Sequence, residues 1–412
     1  MDTQHAPRTE RTPWTVRGVS PQEFPSVVGV YAEPMIVAAA DELEAEREHP
    51  VAEHDRILVA TDGDRMVGTT AAYTLDMTLP GGPRTVAGVT GVGVWPTHRR
   101  RGVLTALMRR QLADIHARGE AVAALYSSED AIYGRYGYGL AAFELSARIR
   151  RPYAVLRSDA PGDAELSVEL LPAAEARPAL DRLHRETVTA RVGQFARGDS
   201  WWGRVLKTGA PWAAVVSGPD GPQGYALYAT TNYRSADGTD ARVDVKEVVS
   251  TTPAARAALY HHVFSRDLVT RISFRSLPAD DPLTNLIADR DRLVETAQES
   301  LRIRLVDLPR ALADRPYATL VDVTLAVRDV HAPWNDGTWR LRTGLDGATC
   351  ERASQGADLT LDTAHLGSVY LGQRSLTALV DAGLVTEHIP GAASRLDTAL
   401  HLPRAAYCGL NF

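Results

Sequence analysis

The chain has 412 residues, of which 44% are hydrophobic and 23% charged, and its net charge is −6 at pH 7. The length exceeds one ordinary domain of about 100–200 residues, and the composition is that of folded globular proteins, which excludes a disordered chain. Because the sequence has neither a run of roughly 18 apolar residues nor a signal-peptide core, we expect a cytoplasmic protein that binds no membrane and, being acidic, no nucleic acid.

The first predicted unit, residues 1–156, begins with a strand and a helix. An alternating segment from Trp14 to Val19 predicts the strand, and Ser20, Pro21 and Glu23 form the cap, first-turn proline and capping-box acid of a helix start. The pattern then predicts three strands at Ile57–Thr61, Met66–Leu75 and Thr85–Val94, and an amphipathic helix at Arg100–Arg118. A buried strand at Ala121–Tyr126, a short helix at Asp130–Tyr136 and a last strand at Phe143–Arg150 follow.

A second unit, residues 157–306, follows a segment rich in turn and charged residues. Its stretch from Val243 to Phe264 repeats the plan of Val89 to Arg110, in which a buried strand, a Thr-Pro pair and an amphipathic helix succeed one another. Chance similarity is the alternative to an internal repeat. Since the second copy lacks the arginine-glycine turn of the first, we expect this unit to be structural.

The third unit, residues 307–412, is predicted to be α+β. Strands are expected near Ala318–Val327, Trp339–Thr343 and Ala357–Leu361, before helical segments from Thr363 to Gly383. This pattern, with the segment GSVYLGQRSLTALVDAG, resembles a sterol-carrier-protein-like domain. We expect its apolar face to pack against the neighbouring domains, and lipid binding is the alternative.

A helix start in the first unit carries the clearest chemical signal. Between Val92 and Leu107 an apolar strand meets the amphipathic helix through Arg99–Gly102. Such a helix start suits a diphosphate, because it combines unpaired amides, the positive end of the helix dipole, a glycine and arginine side chains. An arginine run alone would instead indicate a solvated cluster. The arginine-x-x-glycine spacing resembles that of the GCN5-related (GNAT) acetyltransferases, although Leu104 replaces a final small residue.

A second signal is the segment SSEDAIYGRYGYG, Ser127 to Gly139. The GNAT sheet splays near its middle to admit the pantetheine arm, and the resemblance places Tyr133 where a side chain can reach the thioester sulfur. A phenol has a pKa of about 10 and can donate a proton to a departing thiolate. We expect Tyr136 and Tyr138 to be packed aromatic residues instead.

With VWPTHRRRGVL, GSVYLGQRSLTAL and an aromatic last residue, these segments resemble the actinobacterial enhanced intracellular survival (Eis) acetyltransferases across nearly the whole chain. The resemblance implies an α+β protein with two tandem GNAT-like domains, the second degenerate, and a sterol-carrier-like domain. It also implies an acetyl-CoA-dependent N-acetyltransferase that assembles as a homohexamer and acts on amines of a small polyamine such as an aminoglycoside, or on a lysine side chain.

The resemblance also assigns site residues. Tyr133 is the implied proton donor, and the terminal carboxylate of Phe412 is the implied base. The implied contacts with acetyl-CoA are Val92, Gly93, Val94, Arg100, Arg101, Gly102, Val103, Leu104, Thr105, Ser128 and Glu129.

Two features depart from this family. The chain ends Asn411-Phe412 where the family pattern has Glu-Phe, and the aspartate, phenylalanine and tryptophan expected in the early helical region have no counterpart between Ser20 and His49. The acids of this region are predicted to form a solvated helix face, with attraction of cations as the alternative; they are Asp41, Glu42, Glu44, Glu46 and Glu48. The identity of the amine therefore stays open.

The expected reaction is direct attack of the amine on the acetyl carbonyl. Cys350 and Cys408 lie outside the signal segments near the helix start and Tyr133, and no Ser/His/Asp motif is present, so we expect neither a covalent intermediate nor a metal site. His98 is the alternative base, although we expect it to cap or pack. Two functions from other classes remain open: a lipid- or sterol-binding carrier with a vestigial GNAT half, and a non-catalytic scaffold.

Overall fold

The structure, a computed structural model, describes residues 14–127, 129–207, 209–235, 238–344, 347–354 and 356–412. None of the helices in these segments is both long and apolar enough to cross a membrane. The helices are α1 Phe24–Met35, α2 Ala39–Glu48, α3 Val103–Ala117, α4 Asp130–Tyr133, α5 Ala173–Thr187, α6 Asp199–Lys207, α7 Pro253–Phe264, α8 Leu283–Leu286, α9 Leu308–Ala313, α10 Thr363–Val369, α11 Leu376–Asp381 and α12 Ala392–Leu400.

The strands form three sheets. They are β1 Thr15–Gly18, β2 Leu58–Asp62, β3 Arg65–Leu79, β4 Gly82–Val94, β5 Val122–Tyr126, β6 Gly139–Leu140, β7 Phe143–Arg150, β8 Ser167–Pro172, β9 Trp212–Gly218, β10 Gly221–Ser235, β11 Gly238–Ser250, β12 Arg271–Pro278, β13 Val294–Glu299, β14 Leu301–Leu305, β15 Asp322–Arg328, β16 Gly337–Gly344, β17 Gly347–Arg352, β18 Leu359–Asp362 and β19 Thr386–Glu387.

The first sheet has the order β1-β2-β3-β4-β5-β14-β6, and the second has the order β13-β7-β12-β11-β10-β9-β8. Each contains a long hairpin, a helix and a strand parallel to the hairpin's second arm, as β3-β4-α3-β5 and β10-β11-α7-β12. This common plan confirms the internal repeat. The third sheet, β17-β16-β15-β18-β19, lies in the predicted C-terminal unit, so the α+β class predicted from the sequence is correct.

The two large sheets exchange strands across the predicted boundary between residues 156 and 157. The predicted strand at Phe143–Arg150 forms, but it pairs with β12 and β13 of the second sheet. Its place in the first sheet is taken by β14, which lies between β5 and β6. We expected the Phe143–Arg150 strand to continue the first sheet, and the structure corrects that expectation.

The C-terminal unit is built against the first sheet. Helix α10 packs on β14 and β6 so closely that a Cβ on Gly139 would collide with the backbone of Ala364. One hydrophobic cluster joins Ile303 and Leu305 of β14 to the interior of the third sheet. This packing confirms that the apolar face of the unit meets neighbouring domains.

Candidate active site

Strand β4 is bulged and then leaves its neighbour β5. Its pairing with β3 shifts so that Gly91 and Val92 together oppose Thr70, and Gly91 has a φ of 57°, which favours glycine. Parallel pairing of β4 with β5 is confined to Ala87 and Gly88. Beyond Gly88, the backbone groups on this edge of β4 pair with no strand of the described chain, so a ligand can bind to them.

Helix α3 begins without a side-chain cap. Its N-cap residue is Gly102, with φ 87°, and the amides of Val103, Leu104 and Thr105 belong to the first turn, where no carbonyl of the helix can accept them. A Cβ placed on Gly102 would have Trp14 Nε1 as its nearest neighbour, 3.9 Å away. A ligand can therefore approach the backbone at Gly102 closely. This set of donors fits a diphosphate.

The N-terminus of α7, the corresponding helix of the second unit, is capped. Thr252 caps α7 by accepting a hydrogen bond from the amide of Ala255 at 3.2 Å, and Pro253 has no amide hydrogen to offer. The start of α7 therefore offers fewer free amide hydrogens than the start of α3.

The arginines before α3 have different surroundings. Trp14 donates from Nε1 to the carbonyl of Arg101 at 2.8 Å, and the guanidinium of Arg101 lies 5.1 Å from the Trp14 ring centre. Arg99 and Arg100 are exposed, and neither has an ion-pair partner among the residues that the structure describes. Arg100 also adopts a φ of 60°, which turns the backbone just before the helix. Arg101 therefore helps to hold the turn, whereas no described residue pairs with the guanidinium groups of Arg99 and Arg100.

His98 is bound within the fold. Its Nε2 lies 3.2 Å from Asp62 and its Nδ1 lies 2.8 Å from the hydroxyl of Thr97, while the residue is buried. These contacts support the packing role expected from the sequence.

Tyr133 is the last residue of α4 and is half-buried. Burial, aided by the charge of the exposed Glu129, raises the pKa of its phenol to about 12. Tyr133 packs on the same hydrophobic cluster as Val92, in the divergent part of β4, and Leu104, in the first turn of α3. Ser128, predicted to contact the cofactor, lies outside the described residues.

The two neighbouring tyrosines are packed, as expected. Tyr136 and Tyr138 are 2% and 1% exposed. The Tyr138 ring meets the Tyr133 ring edge-on at 6.3 Å, and its buried hydroxyl has no hydrogen-bond partner among the described residues. The Tyr136 hydroxyl lies 3.2 Å from the hydroxyl of Thr105 and thereby ties this loop to α3.

The chain end enters the same region. The ring of Phe412 meets Tyr126, the last residue of β5, at 5.6 Å and Phe195 at 5.8 Å, both edge-on. It also lies 3.1 Å from the position of a Cβ on Gly88, the residue at which β4 and β5 part. Within the described residues, no cation pairs with the carboxylate of Phe412.

An aromatic wall continues from Phe412 and was missed in the sequence. Trp201 meets both Phe195 and Tyr73 edge-on at 5.2 Å, and the Tyr31 ring lies over Gly91. Phe195 and Trp201 come from the second unit, more than a hundred residues after β4. Only the tryptophan pair at the start of α6 could have drawn attention to this region in the sequence.

The acids of α2 form the expected solvated face only in part, because Glu42 and Glu46 are half-buried. Glu46 pairs with Arg204 at 2.5 Å and Glu48 with Lys207 at 2.7 Å, both cations belonging to α6 of the second unit. Glu42 accepts a hydrogen bond from the hydroxyl of Tyr31 at 3.3 Å. Asp41 and Glu44 are exposed.

Family models match all three units. An acetyltransferase (GNAT) domain model matches residues 15–141, a second acetyltransferase (GNAT) domain model matches residues 193–305, and a sterol carrier protein domain model matches residues 308–409. The structure is similar to that of Eis1 from Mycobacterium abscessus, with a TM-score of 0.83 and 32% identity over 97% of this chain and 100% of that one. A GCN5-related N-acetyltransferase from Anabaena variabilis shares the fold, with a TM-score of 0.82 at 18% identity.

Curated relatives carry the same activity in their names. An uncharacterized N-acetyltransferase of Streptomyces coelicolor is 38% identical over 86% of this chain and 88% of its own length. The N-acetyltransferase Eis of Mycobacterium tuberculosis is 32% identical over 82% of this chain and 84% of its own length. The matched domains and these relatives make the protein an acetyl-CoA-dependent N-acetyltransferase. With two GNAT domains, a sterol-carrier-like domain and these relatives, the chain belongs to the Eis-like family of GNAT N-acetyltransferases.

Proposed function

We propose that the enzyme transfers the acetyl group of acetyl-CoA directly to an amine of a small polyamine such as an aminoglycoside, or to a lysine side chain. The observation that supports the proposal is the divergence of β4 from β5, which begins at Gly88, beside the ring of Phe412, in the strand that leads to the uncapped start of α3. An acyl-enzyme on cysteine is disfavoured, because burial raises the pKa of Cys408 to about 11 and that of Cys350 to about 12.

Binding and orientation fall to backbone groups. The first-turn amides of α3, at Val103, Leu104 and Thr105, hold the diphosphate, and Arg100 adds a charge-assisted contact. The free edge of β4 from Val92 to Val94 orients and polarises the acetyl carbonyl. Acetyl-CoA supplies an acyl group that is already activated, so positioning and proton transfer are what the protein must provide.

Two groups manage the protons. Tyr133 remains protonated throughout the working pH range, since the pKa of its phenol is about 12, and it donates to the leaving sulfur. The carboxylate of Phe412 accepts the proton that the amine loses. A terminal carboxyl has a reference pKa of about 3.5, so it acts as a weak base and needs an onward path for the proton.

The substrate amine approaches along the half-buried members of the aromatic wall, Tyr31, Tyr73, Trp201 and Phe412, against which the buried Phe195 packs. Aromatic faces attract cations, and the carboxylate of Glu42, bound to the Tyr31 hydroxyl, adds a negative charge at the entrance. Glu46 contributes less attraction because Arg204 neutralises it. These contacts support an amine that arrives as a cation.

A thiol-release assay with acetyl-CoA tests this function. It should compare an aminoglycoside, spermidine, a lysine peptide and an arylamine, with the mass of each product measured. We expect acetylation of the polyamine or lysine amines and initial-rate patterns of a sequential mechanism. Acetylation of none of the four would refute the function, and a ping-pong pattern with an isolable acetyl-enzyme would refute direct transfer.

The role of Phe412 has a separate test. Extension by Gly-Ser keeps the ring but converts the carboxylate of Phe412 into an amide, and we expect turnover to fall by about 10²–10⁴-fold. Acetyl-CoA affinity and melting temperature should stay at wild-type values. An extended enzyme with wild-type turnover would dismiss the terminal base.

A lipid carrier is disfavoured because the interior of the C-terminal unit is continuous with the core of the first sheet. Thermal-shift measurements with acetyl-CoA and with fatty acids separate the two functions, since a ligand stabilises by RT ln(1 + [L]/Kd). We also propose, from the family resemblance, a homohexamer that works in the cytoplasm. Sedimentation velocity and cell fractionation test these two points.

A further inference from the structure

A row of hydrogen-bonded side chains leads away from the chain end. It starts at Tyr126, whose ring packs edge-on against Phe412. The hydroxyl of Ser300 donates to Oε2 of Glu144 at 3.3 Å, and its oxygen lies 3.2 Å from the Tyr126 hydroxyl. Ser276 donates to the same carboxylate oxygen at 2.8 Å. A hydroxyl both donates and accepts, so Tyr126, Ser300 and Glu144 form a continuous path for a proton.

The elements that supply this path come from both large sheets. Tyr126 ends β5 of the first sheet, Glu144 lies on β7 of the second, and Ser300 stands between β13 and β14. Ser300 is 3% exposed, whereas Tyr126 and Glu144 are half-buried. The path therefore crosses the junction of the two sheets and ends at a carboxylate that solvent can reach.

Glu144 sits in surroundings that suit a proton acceptor. No arginine, lysine or histidine of the described chain pairs with it. Burial raises the pKa of its carboxyl, and the hydroxyls of Ser276 and Ser300 oppose part of that rise. A carboxylate held by hydroxyls alone is a better proton acceptor than one paired with a cation.

Tyr126 relays a proton as a neutral hydroxyl, because burial raises its pKa well above 10. The other ionisable groups around the path do not exchange protons near neutral pH. Burial raises the pKa of the Cys408 thiol to about 11. Tyr407, whose hydroxyl lies 3.2 Å from that of Ser276, also has a raised pKa. The nearby Arg197 is bound by Glu247 at 2.8 Å.

We propose that Ser300 and Glu144 carry the proton of the substrate amine away from the acetyl-transfer site through the hydroxyl of Tyr126. An ammonium substrate loses two protons, and the second leaves nitrogen for solvent once the C–N bond has formed. The first must leave before nitrogen can attack the acetyl carbonyl: its N–H electron pair stays on nitrogen and the proton is taken up at Phe412. It passes to the Tyr126 hydroxyl, whose own proton moves to Ser300 while the Ser300 proton moves to Glu144. Glu144 releases it to solvent, and Tyr133, having protonated the sulfur, is reprotonated from solvent. This inference rests on the proposed function.

Glu144→Gln is the direct test, because glutamine still accepts hydrogen bonds from both serines but takes up no proton. With an alkylamine substrate at pH 7 we expect kcat/KM to fall by about 10- to 100-fold, a part of the general-base effect. The acid limb of the pH profile of kcat/KM for the amine should shift or vanish. Glu144→Asp, which keeps an acid, should restore part of the rate and the limb.

Tyr407→Phe is the matched control, since it removes a hydroxyl that contacts Ser276 but lies off the path; its kcat/KM and pH profile should match wild type. An arylamine, which is neutral at pH 7, should be less sensitive to Glu144→Gln than the alkylamine. If Glu144→Gln does not fold, Ser300→Ala interrupts the path and should show the same changes. A wild-type pH profile in a folded variant of either residue would overturn the relay, whereas failure of the wild-type enzyme to acetylate any amine would instead overturn the proposed function.

Discussion

Replacing Tyr133 by phenylalanine removes one hydroxyl from the proposed acetyl-transfer site and leaves the ring. The ring packs against Tyr138 at 6.3 Å and on the cluster that includes Met108 and Leu125, and these contacts survive the substitution. We therefore expect Tyr133→Phe to fold and to bind acetyl-CoA as the wild type does, while turnover falls because the leaving sulfur loses its proton donor.

The expected loss of turnover is about 10²–10⁴-fold, which corresponds to about 2.7–5.4 kcal/mol of transition-state stabilisation. The upper part of this range applies if departure of the sulfur limits turnover. Since the pKa of Tyr133 is about 12, the phenol is protonated at pH 7 and still at pH 10. Raising the pH to 10 should therefore leave the difference between Tyr133→Phe and wild type in place.

The assay measures thiol release under saturating amine, together with acetyl-CoA affinity by calorimetry. Tyr138→Phe is the matched control, because it removes the neighbouring buried hydroxyl, which has no partner among the described residues. It should keep wild-type turnover and stability. Equal turnover in Tyr133→Phe, Tyr138→Phe and the wild-type enzyme would refute Tyr133 as the acid.

Further predictions concern the cofactor site, the chain end and the second unit. Arg100→Ala should weaken acetyl-CoA binding by about 10- to 150-fold, and Gly102→Asp should weaken it more, because it places an anion and a Cβ at a φ of 87°; unchanged Kd values from calorimetry would count against the site. Phe412→Ala removes two ring contacts worth about 0.5–1.5 kcal/mol each, so kcat should fall about 5- to 150-fold with no change in acetyl-CoA Kd, and a normal kcat would speak against ring anchoring. Glu247→Gln leaves Arg197 buried and unpaired, and chemical denaturation should show a loss of about 3–5 kcal/mol; a change below 1 kcal/mol would contradict this.

Local patterns in the sequence sufficed for much of the fold. The capping box of Ser20 and Glu23 forms at the predicted helix start, and α3 follows the turn that the arginines and Gly102 indicate. These features depend on residues close in sequence, so periodicity and capping chemistry identify them. The segment from Val92 to Thr105 could be recognised in the sequence for the same reason.

The remainder depends on contacts between distant segments. The pairing of Glu46 with Arg204 joins residues 158 positions apart, and nothing near Glu46 in the sequence distinguishes it from a solvated acid. The alternation of β7 predicts a strand but not the sheet that receives it. Phe195 and Trp201 read as ordinary aromatic residues of the second unit until the fold sets them beside Phe412.

The exchange of β7 and β14 between the large sheets bears on synthesis at the ribosome. When residue 150 has emerged, the first sheet still lacks β14, which must enter between β5 and β6 after some 150 further residues have been made. Pairing between strands so far apart in sequence is slow, and the edge of β5 stays exposed until β14 has paired with it. A fragment ending near residue 156 would keep that edge and carry β7 without its partners, so it should aggregate when expressed alone. Nicks in exposed loops of the finished protein should leave the first two units associated, because each of the two large sheets contains a strand from the other unit.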